Sequence, residues 1–210
     1  MTMGETHEPL VFIVSGPSGS GKSTLVEKLL ELPGTMLSIS ATTRQPRARE
    51  CDGQWYHFVS GEEFQRMVDA GEFLEHACVF GKHRYGTPRR WLEESRAKGL
   101  DLVLEIDVQG AAQVKKALPG AVAIFILPPS REELEKRIRA RGQDSDDEIR
   151  RRLQRARQEM QRYTDYDYIV VNDDLERAGR EVQAIASAAR SRSARNERRI
   201  RKILDSFGGT

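Results

Sequence analysis

The residues from Gly16 to Thr24, Gly16-Pro17-Ser18-Gly19-Ser20-Gly21-Lys22-Ser23-Thr24, carry the most legible chemistry in the chain. They fill the pattern G-x-x-x-x-G-K-[ST], in which glycines let successive backbone amides turn toward an anion. Lys22 at this spacing reaches the β- and γ-phosphates of a nucleoside triphosphate, and the Ser23 hydroxyl can ligate Mg²⁺. The flanks fit such a loop. Leu10-Val11-Phe12-Ile13-Val14 reads as a buried parallel strand, and Leu25, Val26, Leu29 and Leu30 recur at helical spacing until Pro33-Gly34 closes the helix. A glycine loop between a strand and a helix N-terminus is an anion site. A dinucleotide-binding reading of Gly19-Ser20-Gly21 fails, because Thr24 stands where a third glycine is required.

The elements that position this loop follow from periodicity. Leu100 to Ile106 and Ala121 to Leu127 are apolar runs of buried-strand type, and Tyr168 to Val171 is a third. The first ends at Asp107, which reads either as a Walker B carboxylate near Mg²⁺ or as an ordinary polar strand end. A helix spans Ala111 to Ala117, and Leu175 onward is an amphipathic closing helix. Ser130-x-x-Glu133 and Ser145-x-x-Glu148 are capping boxes for two charged helices, the first reaching Ala140 and the second running to Met160. Between Ser38 and Trp91 the βα alternation is interrupted by short strands at 38–46, 54–59 and 72–80 and a helix opened by Ser60-Gly61-Glu62-Glu63. The fold class is therefore α/β: a parallel core sheet flanked by helices, with an inserted mixed lobe and a helical lid.

Bulk properties narrow the function classes. A chain of 210 residues supports one sizeable core, and a formal net charge of +2 is too small to argue for a nucleic-acid partner overall. Cys51 and Cys78 have no metal-ligand or disulfide-framework spacing, and His7, His57, His76 and His83 are not spaced as ligands. The apolar runs are far shorter than a membrane span, so no membrane partner is expected and a cytoplasmic location fits. The segment from Arg190 to Lys202 carries seven basic residues against one acid, Glu197, and is the single stretch where a weak nucleic-acid contact is conceivable.

Four stretches together, GPSGSGKST, SISATTRQPRARECDGQWYHF, RYGTP and LEIDVQG, resemble the motifs of the guanylate kinase family over about residues 10–186. The resemblance implies phosphorylation of GMP to GDP, and of dGMP to dGDP, with ATP and Mg²⁺ as cofactors. It implies that Gly16, Pro17, Ser18, Gly19, Ser20, Gly21, Lys22, Ser23, Thr24 and Asn172 bind ATP, with Ser23 also on the metal. Arg44, Arg47 and Tyr56 match residues that grip the GMP phosphate; Ser40, Glu75 and Thr87, with Tyr85 and Gly86 shaping a turn, match guanine readers; and Asp107 lies near guanine and metal. Lys22, Arg137, Arg141 and Arg152 match catalytic cations. A carboxylate at 75 suits guanine, whose N1–H and N2–H₂ both donate, and repels adenine, which offers a lone pair at N1.

The expected organisation is one domain at 9–189: a core at 9–38, 98–129 and 164–189, a GMP-binding lobe at 39–91 and a lid at 130–163, then a basic extension at 190–210. The small-molecule partners are GMP and ATP, and the state is a monomer or a homo-oligomer. Arg84 departs from the family pattern and predicts a more cationic entrance to the base pocket. Two rivals belong to other classes. One is a peptide-binding scaffold domain of the same fold, disfavoured by the intact Lys22, Ser23, Arg44 and Arg47; the other is a nucleic-acid binder acting through the tail.

Overall fold

The computed structural model describes residues 8–47, 50–79, 82–140 and 145–208. In chain order the elements begin with β1 (Val11–Ser15), α1 (Lys22–Leu30) and β2 (Thr35–Leu37), and continue through β3 (Ser40–Thr42), β4 (Tyr56–Phe58), α2 (Gly61–Asp69), β5 (Phe73–Val79) and β6 (His83–Pro88). Then come α3 (Arg90–Lys98), β7 (Asp101–Glu105), α4 (Val108–Ala117), β8 (Val122–Leu127), α5 (Arg131–Ala140) and α6 (Asp146–Met160). The last are β9 (Tyr168–Val171), α7 (Leu175–Arg190) and α8 (Glu197–Ser206).

β1, buried along its whole length, is the middle strand of a five-stranded, all-parallel sheet in the order β2-β7-β1-β8-β9. Because side chains alternate along a strand, β1 feeds two separate layers. Phe12 and Val14 pack with Leu25 and Leu29 of α1 and with Val182 and Ala186 of α7. Val11 and Ile13 pack with Leu102 and Leu104 of β7 and with Val114 of α4. The loop carrying Lys22 thus leaves a strand anchored in both layers.

A second, four-stranded sheet in the order β4-β3-β6-β5 forms the inserted lobe, with Ala41, Phe64 and Phe73 as its buried centre. Complete burial of a phenylalanine side chain contributes about 1.5–3 kcal/mol, so two such residues and one alanine leave the lobe dependent on neighbouring elements. α4 is one of those neighbours: Gln113 accepts from the His76 amide at 3.3 Å and donates to the His76 carbonyl at 2.8 Å, clasping β5. α5 and α6 pair through a small core of Leu134, Ile138, Ile149 and Leu153. Ser130 and Ser145 cap them, each hydroxyl accepting the amide hydrogen of the expected glutamate, Glu133 at 3.1 Å and Glu148 at 3.3 Å.

Three features depart from the sequence reading. The stretch expected to turn at Tyr85-Gly86-Thr87 is the strand β6, paired on both sides. Its glycine and proline suggest a turn, but Gly86 serves close packing, since a Cβ there would lie 2.7 Å from the Phe73 ring. β2 and α3 have no counterpart in the reading. Finally, α7 runs through Arg190, whose Nε donates at 2.7 Å to the buried Asp101; the other Asp101 oxygen accepts from the Leu10 amide at 2.7 Å. Arg190 therefore braces the core, although the sequence reading assigns it to the basic extension. The tail beyond it forms α8, and Ile200, Ile203 and Leu204 on that helix and Phe207 just after it are exposed.

These facts separate two truncations. Replacing Arg190 by Ala should cost about 1–3 kcal/mol, because Asp101 keeps its burial and loses a charge-assisted partner. Ending the chain after Ser191 should leave the urea midpoint nearly unchanged, since α8 buries no residue. Equilibrium urea unfolding of both variants checks the contrast.

Candidate active site

Three glycines, Gly16, Gly19 and Gly21, hold the loop after β1 in positive φ, at 143°, 95° and 89°. At Gly16 and Gly21 there is also no room for a side chain: a Cβ would fall 2.3 Å from the Ile126 carbonyl oxygen and 2.2 Å from Asn172 Nδ2 respectively. Gly21 is the N-cap of α1, which has no side-chain cap, so its first amides face the loop cavity. Lys22 Nζ donates to the Gly16 and Pro17 carbonyls at 2.7 and 3.1 Å and lies along the loop.

The sequence reading places Asn172 among the ATP-binding residues. Its side chain is buried, donating to the Ser20 carbonyl at 2.8 Å. Arg137 joins the same point, donating to the Ser20 and Asn172 carbonyls at 3.4 and 2.9 Å while Glu133 accepts from its Nε at 2.9 Å. Both residues brace the back of the loop. Arg152, from α6, donates to Ser18 Oγ at 2.7 Å and ties that helix to the loop. Arg141 lies outside the described residues.

In front of the loop is a cleft of about 270 Å³. On one side it is lined by Gly16, Ser18, Gly19, Gly21, Lys22, Ser23 and Thr24, and on the other by Ser40, Arg47, Tyr56, Glu75 and Tyr85. Ile106 and Asp107 close the floor. The fold thus brings the glycine loop and the inserted lobe to one cavity, although the two are far apart in sequence.

Glu75 is the most perturbed carboxyl in it. Burial pushes it up to about 7; the Thr87 hydroxyl opposes the shift and the charge of Asp107 adds to it. Thr87 Oγ1 donates to Glu75 Oε1 at 2.7 Å, and Ser40 Oγ lies 3.5 Å from Thr87 Oγ1, so the three form a buried polar row. Nearby, Arg44 makes a forked pair with Glu50 at 2.8 and 2.9 Å and donates to Tyr85 Oη at 3.1 Å. Glu50 also accepts from the Arg47 amide at 2.7 Å. Burial would raise its pKa, but the bonds from Arg44 and from the Arg47 amide hold Glu50 below the usual carboxylate range. Burial pushes the Tyr56 phenol up, keeping it neutral, and its ring stands 5.7 Å from that of Tyr85 in an edge-on contact.

Two acids in the cleft went unread in the sequence. Glu105, the last residue of β7, accepts from Ser23 Oγ at 2.8 Å. Asp107 instead caps α4, taking the Gln109 and Gly110 amides at 3.0 and 2.9 Å on a single oxygen. The strand-end acid facing Ser23 therefore comes two residues earlier than the sequence suggests. Glu159, near the end of α6, also lines the cleft; burial pushes it above the ordinary range, with its partner Arg155 at 2.9 Å opposing. Arg84 does not make the entrance cationic. It points away from Tyr85, with its guanidinium 4.4 Å over the Phe64 ring and a bond to Gln65 at 2.9 Å.

The family profile described as Guanylate kinase matches residues 8–189. The chain belongs to the guanylate kinase family. Similar relatives include a guanylate kinase of Vibrio parahaemolyticus, 46% identical over 200 residues that cover 94% of this chain and 96% of that one. A guanylate kinase of Escherichia coli strain K12 is 47% identical over 201 residues, covering 92% of this chain and 97% of its own. Among solved structures, a guanylate kinase from Anaplasma phagocytophilum superimposes with a TM-score of 0.78 at 36% identity, covering 93% of this chain and 94% of its own. Guanylate kinase membership and the P-loop kinase fold are thus established together. Among the described residues no helix is long and apolar enough to cross a membrane.

The buried carboxyl sets a measurable pH dependence. Folded Glu75 has its pKa raised, so its contribution to stability is complete below about 4.5 and is lost as pH rises through about 7. Relative to the Glu75→Gln variant, the unsubstituted protein should lose about 3 kcal/mol between pH 4.5 and pH 8. Urea unfolding across that range checks the sign: a parallel pair of curves would mean that Glu75 ionises normally.

Proposed function

We propose that the protein transfers the terminal phosphoryl group of ATP to GMP, giving ADP and GDP, and accepts dGMP in the same way. The observation that carries this reading is the buried Glu75 carboxyl, held by Thr87, across one cleft from the Lys22 loop. A site lacking guanine chemistry has little reason to bury an acid this deeply. In this reading the core at 9–38, 98–129 and 164–189 carries ATP, the lobe at 39–91 carries GMP, the segment 130–163 is a lid and 190–210 is an extension. The location is the cytoplasm, where the exposed Cys51 and Cys78 stay reduced.

The reaction joins two anions. A GMP phosphate oxygen attacks the γ-phosphorus of ATP as the bond to the β-phosphate oxygen breaks, and the acceptor is already mostly ionised, so positioning and positive charge do the catalysis. Lys22 and the loop amides hold the donor, with Arg137 bracing the loop from behind; Arg44 and Arg47 with Tyr56 grip the acceptor phosphate, and Arg141 and Arg152 act from the lid side. Arg152 already reaches the loop through Ser18. Glu75 in its ionised form accepts from guanine N1–H and N2–H₂, with Ser40 and Thr87 completing the reader.

The donors near Ser23 suit Mg²⁺, a hard cation that prefers oxygen ligands: the Ser23 hydroxyl and the Glu105 carboxylate are 2.8 Å apart. The ion would be held by Ser23, with Glu105 on its bound water; when present it neutralises charge on the transferring phosphates.

A coupled assay with ATP against GMP, dGMP, AMP, CMP and UMP tests the assignment, and equal turnover of AMP and GMP would overturn it. Lys22→Ala should lower kcat by about 10²-fold or more while calorimetry finds GMP affinity nearly intact. Glu75→Gln replaces one acceptor by a donor, so kcat/KM for GMP should fall about 10- to 100-fold with the KM for ATP unchanged. AMP efficiency should be unchanged or improved in that variant; a parallel fall for both nucleotides would reduce Glu75 to a support of the lobe.

A further inference from the structure

Gly110 is the third residue of α4 and its backbone is ordinary helix, outside the positive-φ region. Nothing in the chain's conformation there asks for glycine, and alanine is the better helix former at such a position. The reason lies outside the helix. A Cβ on Gly110 would fall 2.4 Å from Glu75 Oε2, 2.9 Å from its Cδ and 3.5 Å from its Cγ.

Glu75 has little freedom to retreat from such an atom. Its other oxygen is held by Thr87 at 2.7 Å, and the side chain is buried. Backbone retreat is also blocked, because Gln113, one turn beyond Gly110, clasps the neighbouring His76 through both its amide and its carbonyl. Gly179 offers the contrast. It too lies in a helix, but the atoms a Cβ would meet there belong to the stem of Lys28, which is partly exposed and can swing aside.

We propose that Gly110 is a specificity-determining positioning residue, the absence of its side chain forming the seat that sets the Glu75 carboxylate at the depth where guanine is read. The core helix α4 thereby fixes the register of a group carried by the lobe. This rests on the GMP reading above. A base presenting two adjacent donors tolerates little displacement of the paired acceptor, so the cost of filling the seat falls on GMP and not on ATP.

The test is Gly110→Ala alone and in the Glu75→Ala background, measured as kcat/KM for GMP, KM for ATP and thermal midpoint. The single variant should lose about tenfold or more in kcat/KM for GMP, carried mainly by KM, with the KM for ATP within about twofold. Its midpoint should not fall by more than the displaced carboxyl explains. In the Glu75→Ala background, where no carboxyl is left to displace, Gly110→Ala should change kcat/KM for GMP less than about twofold. If the single variant fails to fold, recovery of folding in the double variant supports the seat, and an unfolded double variant overturns it. An unimpaired single variant, or an effect that persists without the Glu75 side chain, also overturns it. An unsubstituted protein that does not phosphorylate GMP would overturn the base reading itself, which is a separate result.

Discussion

The carbonyl oxygen of Ser20 is the point on which the phosphate loop depends. The loop has three residues in positive φ; Lys22 holds its Gly16 and Pro17 carbonyls from within, and two side chains hold it from outside. Asn172, at the end of β9, and Arg137, on α5, both donate to that oxygen. Gly21 is the complement of this arrangement, since any side chain there would occupy the place of the Asn172 amide. The edge of the sheet, α5 and the loop are fixed against one another by one acceptor.

The rest of the site follows from where that loop sits. β1 is buried on both faces, which makes its C-terminal end a rigid origin, and open α/β sheets bind ligands at those ends. The lobe has a much smaller core and leans on α4 through Gln113. The rigid core and the dependent lobe meet at a cleft that Ile106 and Asp107 of the core also line. Asp107 contributes there twice, capping α4 with one oxygen and raising the pKa of Glu75 by its charge.

What the sequence made legible was whatever is written locally. The glycine loop, the two capping boxes and the apolar strands are encoded within a few residues each, and the structure has them where the spacing puts them. What it hid was relational. β6 looks like a turn because Gly86 and Pro88 are turn residues, and only its pairing with β3 and β5 makes it a strand. Asp107 looks like the acid opposite Ser23 because it follows an apolar run, but it caps α4 instead, and Glu105 is the acid that accepts from Ser23. Arg84 is adjacent to Tyr85 in sequence, yet alternation along β6 sends the two to opposite faces. No local pattern could have assigned Asn172 to a carbonyl 152 positions earlier.

Arg44 meets the solvent with a carboxylate already in its fork. Glu50 is tethered six residues away, so its effective concentration at the guanidinium far exceeds that of any small monoanion in solution. Because the pair with Arg44 keeps Glu50 ionised, that competitor is present throughout the neutral pH range. Any anion that takes the Arg44 fork must therefore displace a tethered carboxylate. Glu50 is in this sense an internal ligand, raising the affinity that any competing anion must bring to the Arg44 fork.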